Sequence, residues 1–87
     1  MARYELRFKT SVAKDLRDLP RTDLRRILER IEALRDDPRP AGCEKLSAQE
    51  RYRIRQGNYR ILYEILDLEV IVEVVKIGHR REVYRSR

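Results

Sequence analysis

Residues 51–66 leave the chain little choice of local structure. Arg51-Tyr52-Arg53-Ile54-Arg55 alternates basic with apolar side chains, the period of a half-buried strand. Gln56-Gly57-Asn58 reads as a tight turn, and Tyr59–Leu66 as the returning strand of a hairpin. Residues 51–60 hold four arginines, two tyrosines and no acid. Alternation places Arg53 and Arg55 on one face, roughly 6.5–7 Å apart along the strand. That resembles the spacing of successive phosphates along an RNA strand. A sheet built on this hairpin carries a row of guanidinium groups aimed at a polyanion.

The rest of the chain supplies a frame for that hairpin. With 87 residues, positions 1–87 are expected to form one domain, near the size at which a single core is just adequate. Residues 2–9 alternate, with Tyr4, Leu6 and Phe8 on the core side of a first strand. Thr10 or Ser11 is a good N-cap, and Val12, Leu16 and Leu19 follow at helical spacing. Pro20 breaks that helix and opens a second one, from about residue 21 to 35. Its stripe is Leu24, Ile27, Leu28, Ile31 and Leu34. Asp36–Gly42 ends it and opens a loop to about Glu50, with Leu46 as its apolar anchor. After the hairpin, Val70–Ile77 is nearly all β-branched and reads as a central, buried strand. The expected fold is α+β, in the order β-α-α-β-β-β. A helical hairpin covers one face of a small, mainly antiparallel sheet.

Charge is concentrated, not spread. The net charge is +6, and the surplus lies in residues 51–60 and 76–87, leaving the remainder slightly acidic. Concentrated basicity of this kind fits a polyanionic partner. Arginine outnumbers lysine 17 to 4, which suits bidentate phosphate contacts but also follows from codon bias. No apolar run is long enough to span a membrane, and the alternating start does not read as a signal peptide. The single cysteine, Cys43, cannot form an internal disulfide; it reads as an ordinary thiol in a reducing, cytoplasmic setting. One histidine and one cysteine far apart make no metal site. Three glycines, at 42, 57 and 78, exclude a phosphate-binding loop or dinucleotide fingerprint. No cofactor is inferred.

An arginine-rich surface with tyrosines and one histidine suits a metal-free reaction on RNA. The 2′-OH attacks the adjacent phosphate, and arginines stabilise the charge that develops there. Arg53, Arg55, Arg60 and Arg80 are the expected phosphate ligands, with Arg51, Arg81 and Arg85 as further RNA contacts. Taken singly, each could be a solvated surface arginine, and Arg60 could pair with Glu64, two residues on. Tyr84 stands among Arg80, Arg81 and Arg85, which favour its ionised form; it can act as a base, stack on an RNA base or simply pack. His79 has a reference pKa near neutrality, so acid–base and supportive roles are both open. Tyr52, Tyr59 and Tyr63 follow the core parity.

The hairpin Tyr52-Arg53-Ile54-Arg55-Gln56-Gly57-Asn58-Tyr59-Arg60-Ile61-Leu62-Tyr63, followed by Ile77-Gly78-His79-Arg80-Arg81-Glu82-Val83-Tyr84, resembles the RelE/ParE toxin superfamily, and within it the RelE branch. The likeness extends over essentially the whole chain, including the Leu19-Pro20 break. It implies the toxin of a type II toxin–antitoxin system, a ribosome-dependent mRNA endonuclease acting in the A site beside ribosomal RNA. The implied partner is a small RelB-like antitoxin, through which alone operator DNA is met. By position, Arg53 and Arg55 match two basic residues that contact RNA, Arg60 the arginine that holds the reacting phosphate, and Arg80 a transition-state stabiliser. Tyr84 matches the terminal tyrosine that stacks and assists proton transfer. The first pair is lysine in the best-known members, and arginine keeps its proton, so proton removal shifts to Tyr84, His79 or ribosomal RNA. The competing readings are a ParE-like inhibitor of DNA gyrase and a non-catalytic module on the same fold.

Overall fold

A computed structural model describes residues 3–46 and 51–79. In chain order these form β1 (Glu5–Phe8), α1 (Val12–Arg17), α2 (Arg21–Ala33), β2 (Glu44–Lys45), β3 (Arg51–Gln56), β4 (Tyr59–Leu66) and β5 (Ile71–His79). The five strands make one sheet in the order β1-β5-β4-β3-β2. β1 runs parallel to β5, and every other neighbouring pair is antiparallel. The expected order β-α-α-β-β-β is therefore observed with one addition, the two-residue β2 inside what reads as a loop. Two residues carry no detectable period, so the sequence could not announce it.

The helices cover one face of the sheet. Val12, Ile27, Ile31 and Leu34 meet Tyr52, Ile54, Ile61, Tyr63, Ile65, Val72, Val74 and Ile77 in a single buried cluster. Each fully buried aliphatic side chain there contributes about 1.5–3 kcal/mol relative to exposure. The tyrosines follow the expected parity: Tyr52 and Tyr63 are buried, stack at 5.9 Å and pair directly across β3 and β4. Tyr59 is half-buried. The α2 stripe is wider than the core needs, so Leu28 remains 40% exposed. β5 is an interior strand between β1 and β4, consistent with its β-branched run. Val74 and Ile77 both face the core despite their odd separation, because a bulge opposite Leu62 and Tyr63 resets the alternation.

Several ends are tied differently from the sequence expectation. Ser11 occupies the N-cap of α1 but makes no side-chain capping bond; Lys9 and Thr10 carbonyls accept from Val12 and Ala13 instead. Pro20 is the N-cap of α2, and its carbonyl accepts from Leu24 at 2.8 Å. β1 stops at Phe8, paired with Val74. Beyond it, Asp15 of α1 accepts the Ile77 amide at 3.2 Å and also holds Lys76. Leu46 is not an anchor: it is 39% exposed, whereas Cys43 packs on the core. Arg39 donates to Asp67 at 2.8 Å and to the Tyr52 hydroxyl at 3.0 Å. Tyr4 also donates to Asp67, at 2.7 Å. These bonds, Arg39 first, hold the Asp67 carboxyl below its usual range.

The β3–β4 turn consists of Gly57 and Asn58 between the paired Gln56 and Tyr59. Gly57 has φ +60° and Asn58 has no positive φ, the pattern of a two-residue hairpin turn with glycine first. A Cβ at Gly57 would meet nothing within 4 Å, so the requirement is purely conformational. Gly57→Ala is expected to destabilise the fold by about 1–2 kcal/mol, read as a lower urea midpoint with unchanged slope. An unchanged midpoint would contradict this assignment of the turn.

Candidate phosphate site

The face of the sheet opposite the helices carries the arginines. Arg53 and Arg55 share that face of β3, and Arg60 of β4 stands directly opposite Arg55. Arg60 in turn pairs with Gly78 of β5. An open cavity of about 350 Å³ is lined by Gly42, Glu44, Arg53, Arg55 and Arg60. Three of the arginines singled out in the sequence are thus brought together around one space.

The three are graded by depth. Arg60 is 2% exposed, with its Nε and Nη1 closed off from solvent. The Arg53 side chain is 18% exposed, and Arg55 is exposed. They form a floor, a wall and a rim. Like charges directly across a strand pair repel by about 0.2–1 kcal/mol, and a buried guanidinium loses hydration. Placing Arg55 against a buried Arg60 is therefore unfavourable unless negative charge nearby offsets it. Glu44 of β2, paired across from Arg53, supplies part of that counter-charge. Its Oε1 accepts from Arg53 Nε at 3.0 Å and from Nη2 at 2.6 Å. The Arg53 hydrogen bond, then the charges of Arg53, Arg60 and Arg55, hold the Glu44 carboxyl below its usual range. Among the described residues, three arginines and one carboxylate line the cavity, a net formal charge of +2.

Two further expected site residues, Arg51 and His79, fall elsewhere. Arg51 donates from Nε at 3.1 Å and Nη2 at 2.6 Å to Glu64 Oε2, outside the cavity. Glu64, considered above as a partner for Arg60, is engaged with Arg51. His79 pairs with Tyr59 and meets its ring edge-on at 5.7 Å, on the helix side of the sheet. It lines a separate cavity with Asp23, Arg26 and Tyr59, and the Tyr59 hydroxyl donates to Asp23 at 2.9 Å. Arg80, Arg81, Tyr84 and Arg85 lie outside the described residues. Sequence reasoning missed Glu44. Its only advance signal was that the neighbouring ten residues contain four arginines and no acid of their own. The register of β2 was needed to bring it in.

Fold and site together define a small α+β domain with an arginine-lined cavity on the face of the sheet opposite its helices. The family profile of the ParE toxin of the type II toxin–antitoxin system parDE matches residues 6–84. A Methanocaldococcus jannaschii relative named for the RelE toxins is 32% identical over 88 residues, covering 97% of this chain and 98% of its own. The mRNA interferase toxin RelE of Escherichia coli K12 is 28% identical over 85 residues, covering 93% of this chain and 90% of its own. The archaeal RelE–RelB complex from Pyrococcus horikoshii superposes with a TM-score of 0.80 at 29% identity, covering 88% of this chain and 94% of that one. The chain belongs to the RelE/ParE superfamily of type II toxins. Within it the protein is RelE-like. Among its described residues, no helix is long and apolar enough to cross a membrane.

Proposed function

We propose that the protein is a ribosome-dependent endoribonuclease that cuts mRNA in the A site and so stops translation. The observation that carries this reading is the convergence of Arg53, Arg55 and Arg60 on one cavity. In the proposed reaction, the 2′-oxygen of a nucleotide bonds to the adjacent phosphorus as the bond from phosphorus to the 5′-oxygen breaks. A base removes the 2′-OH proton, and a proton is delivered to the departing 5′-oxygen. The equatorial oxygens gain negative charge meanwhile, and preorganised guanidinium groups stabilise it. A guanidinium group has five N–H donors and no acceptor, so the three arginines act as charges and hydrogen-bond donors, not as bases. Proton removal falls to Tyr84 or to ribosomal RNA. His79 is on the other face of the sheet, the less favourable starting point.

The proposed partner in the resting state is a RelB-like antitoxin that covers or displaces this basic site. The RelB complex formed by the Pyrococcus relative supports that proposal. Operator DNA would be met only through the antitoxin, and the setting is cytoplasmic. A second reading is favoured by the family profile, which is named for ParE: inhibition of DNA gyrase without RNA cleavage.

A purified translation system with primer extension on the mRNA separates the two. Wild type is expected to produce breaks at the A site only when ribosomes are present. Arg53→Ala and Arg55→Ala are each expected to lower cleavage about 10- to 100-fold, the effect of one hydrogen bond to a charged group. Intact mRNA together with inhibited supercoiling would place the protein with the gyrase inhibitors.

A further inference from the structure

Among the described residues that line the arginine cavity, Glu44 is the one acid. Its geometry is that of a bound anion. Arg53 presents two donors of its guanidinium fork to a single oxygen of the carboxylate, at 3.0 and 2.6 Å. A non-bridging oxygen of a phosphodiester would take the same two hydrogens. The two partners are not equally fixed. The Arg53 side chain is 18% exposed, whereas that of Glu44 is 61% exposed. Glu44 also sits on a two-residue strand at the edge of the sheet. The carboxylate can swing into water while the guanidinium stays in the cavity wall.

We propose that Glu44 is a resident counter-anion of the phosphate site, occupying the phosphate's place on Arg53 and giving it up by exchange when a phosphodiester group enters. That the phosphodiester belongs to mRNA rests on the nuclease reading above; the exchange itself rests only on the cavity. Two properties follow. In the empty site Glu44 offsets part of the repulsion among Arg53, Arg55 and Arg60, to all of which it is electrostatically coupled. It also sets a threshold. An isolated anion must compete with a tethered carboxylate, held at high effective concentration. A phosphate that engages Arg55 and Arg60 as well as Arg53 overcomes that competition more readily than one that reaches Arg53 alone. The carboxylate therefore selects for a group seated at the full depth of the cavity.

The test uses inorganic phosphate as probe and the full chain, with binding followed by the Nε–H NMR signals of Arg53, Arg55 and Arg60. Glu44→Gln keeps the shape and removes the competing charge. It is expected to tighten phosphate binding by up to about fivefold, the upper end of what an exposed ion pair contributes. In an Arg53→Ala background the same substitution is expected to change affinity less than in the wild type, because the contested guanidinium is gone. If Glu44 merely props Arg53 in place, Glu44→Gln weakens phosphate binding, and that result overturns the proposal. Unchanged affinity overturns it too. A 100-fold loss of mRNA cleavage with unchanged phosphate affinity would make the carboxylate a participant in the reaction instead of a counter-anion. Failure of the nuclease reading is seen separately, as a wild type that binds phosphate yet leaves mRNA intact.

Discussion

Arg60→Ala is expected to lower ribosome-dependent mRNA cleavage by about two to three orders of magnitude, while the fold survives. Arg60 is the deepest of the three arginines, at 2% exposed, so its charge acts through little intervening water and is worth more there. It also faces Arg55 directly across the β3–β4 pair. Deleting it removes a like-charge contact that costs about 0.2–1 kcal/mol, which offsets part of the packing lost with its stem. Activity is therefore expected to fall much further than stability. Arg60→Lys keeps the charge but not the planar fork, and is expected to recover only part of the loss. Urea unfolding alongside the cleavage assay checks both variants. Parallel loss of stability and cleavage in Arg60→Ala would make Arg60 a structural residue.

Tyr63 carries the largest stability prediction. It is fully buried, stacks on Tyr52, and donates its hydroxyl to the Pro38 carbonyl at 2.7 Å. Burial, with smaller contributions from Cys43, pushes its phenol well above the usual range. The hydroxyl is thus held in its protonated, donating form. Tyr63→Ala is expected to cost about 3–5 kcal/mol through the cavity it leaves. Tyr63→Phe removes only the hydroxyl and orphans one carbonyl, a loss of about 1–3 kcal/mol. For a domain of this size, a loss at the upper end is a large part of the total stability. Urea denaturation of both variants tests the ranking; a phenylalanine variant as damaged as the alanine one would contradict it.

Much of this organisation could be read from single residues. The alternation at Tyr52, Ile54, Ile61 and Tyr63 fixed which face of the hairpin is core, and hence which face holds Arg53, Arg55 and Arg60. The β-branched run of β5 marked it as an interior strand, although the middle place belongs to β4. What stayed hidden depended on register. Strand periodicity cannot show that Ile77 regains the core face after a bulge, nor that His79 consequently sits with Tyr59 and not with Arg60. Glu44 was invisible for the same reason: its strand is two residues long, and its pairing with Arg53 is a property of the sheet edge. Alternation gives Arg51 the same face as Arg53 and Arg55, and the sequence reads it as a further RNA contact. It is the cross-strand neighbour, Glu64, that sets it apart.

The measurement that bears most directly on the arginine cavity as a phosphoryl-transfer site is the chemistry of the cut ends. mRNA recovered from a purified translation reaction would be analysed by mass spectrometry at each break. Attack by the 2′-oxygen at a phosphate held by Arg53, Arg55 and Arg60 leaves a 2′,3′-cyclic phosphate on the upstream fragment and a 5′-hydroxyl on the downstream one. A 3′-hydroxyl facing a 5′-phosphate would mean that water, not the neighbouring ribose, is the nucleophile, and would contradict the proposed chemistry.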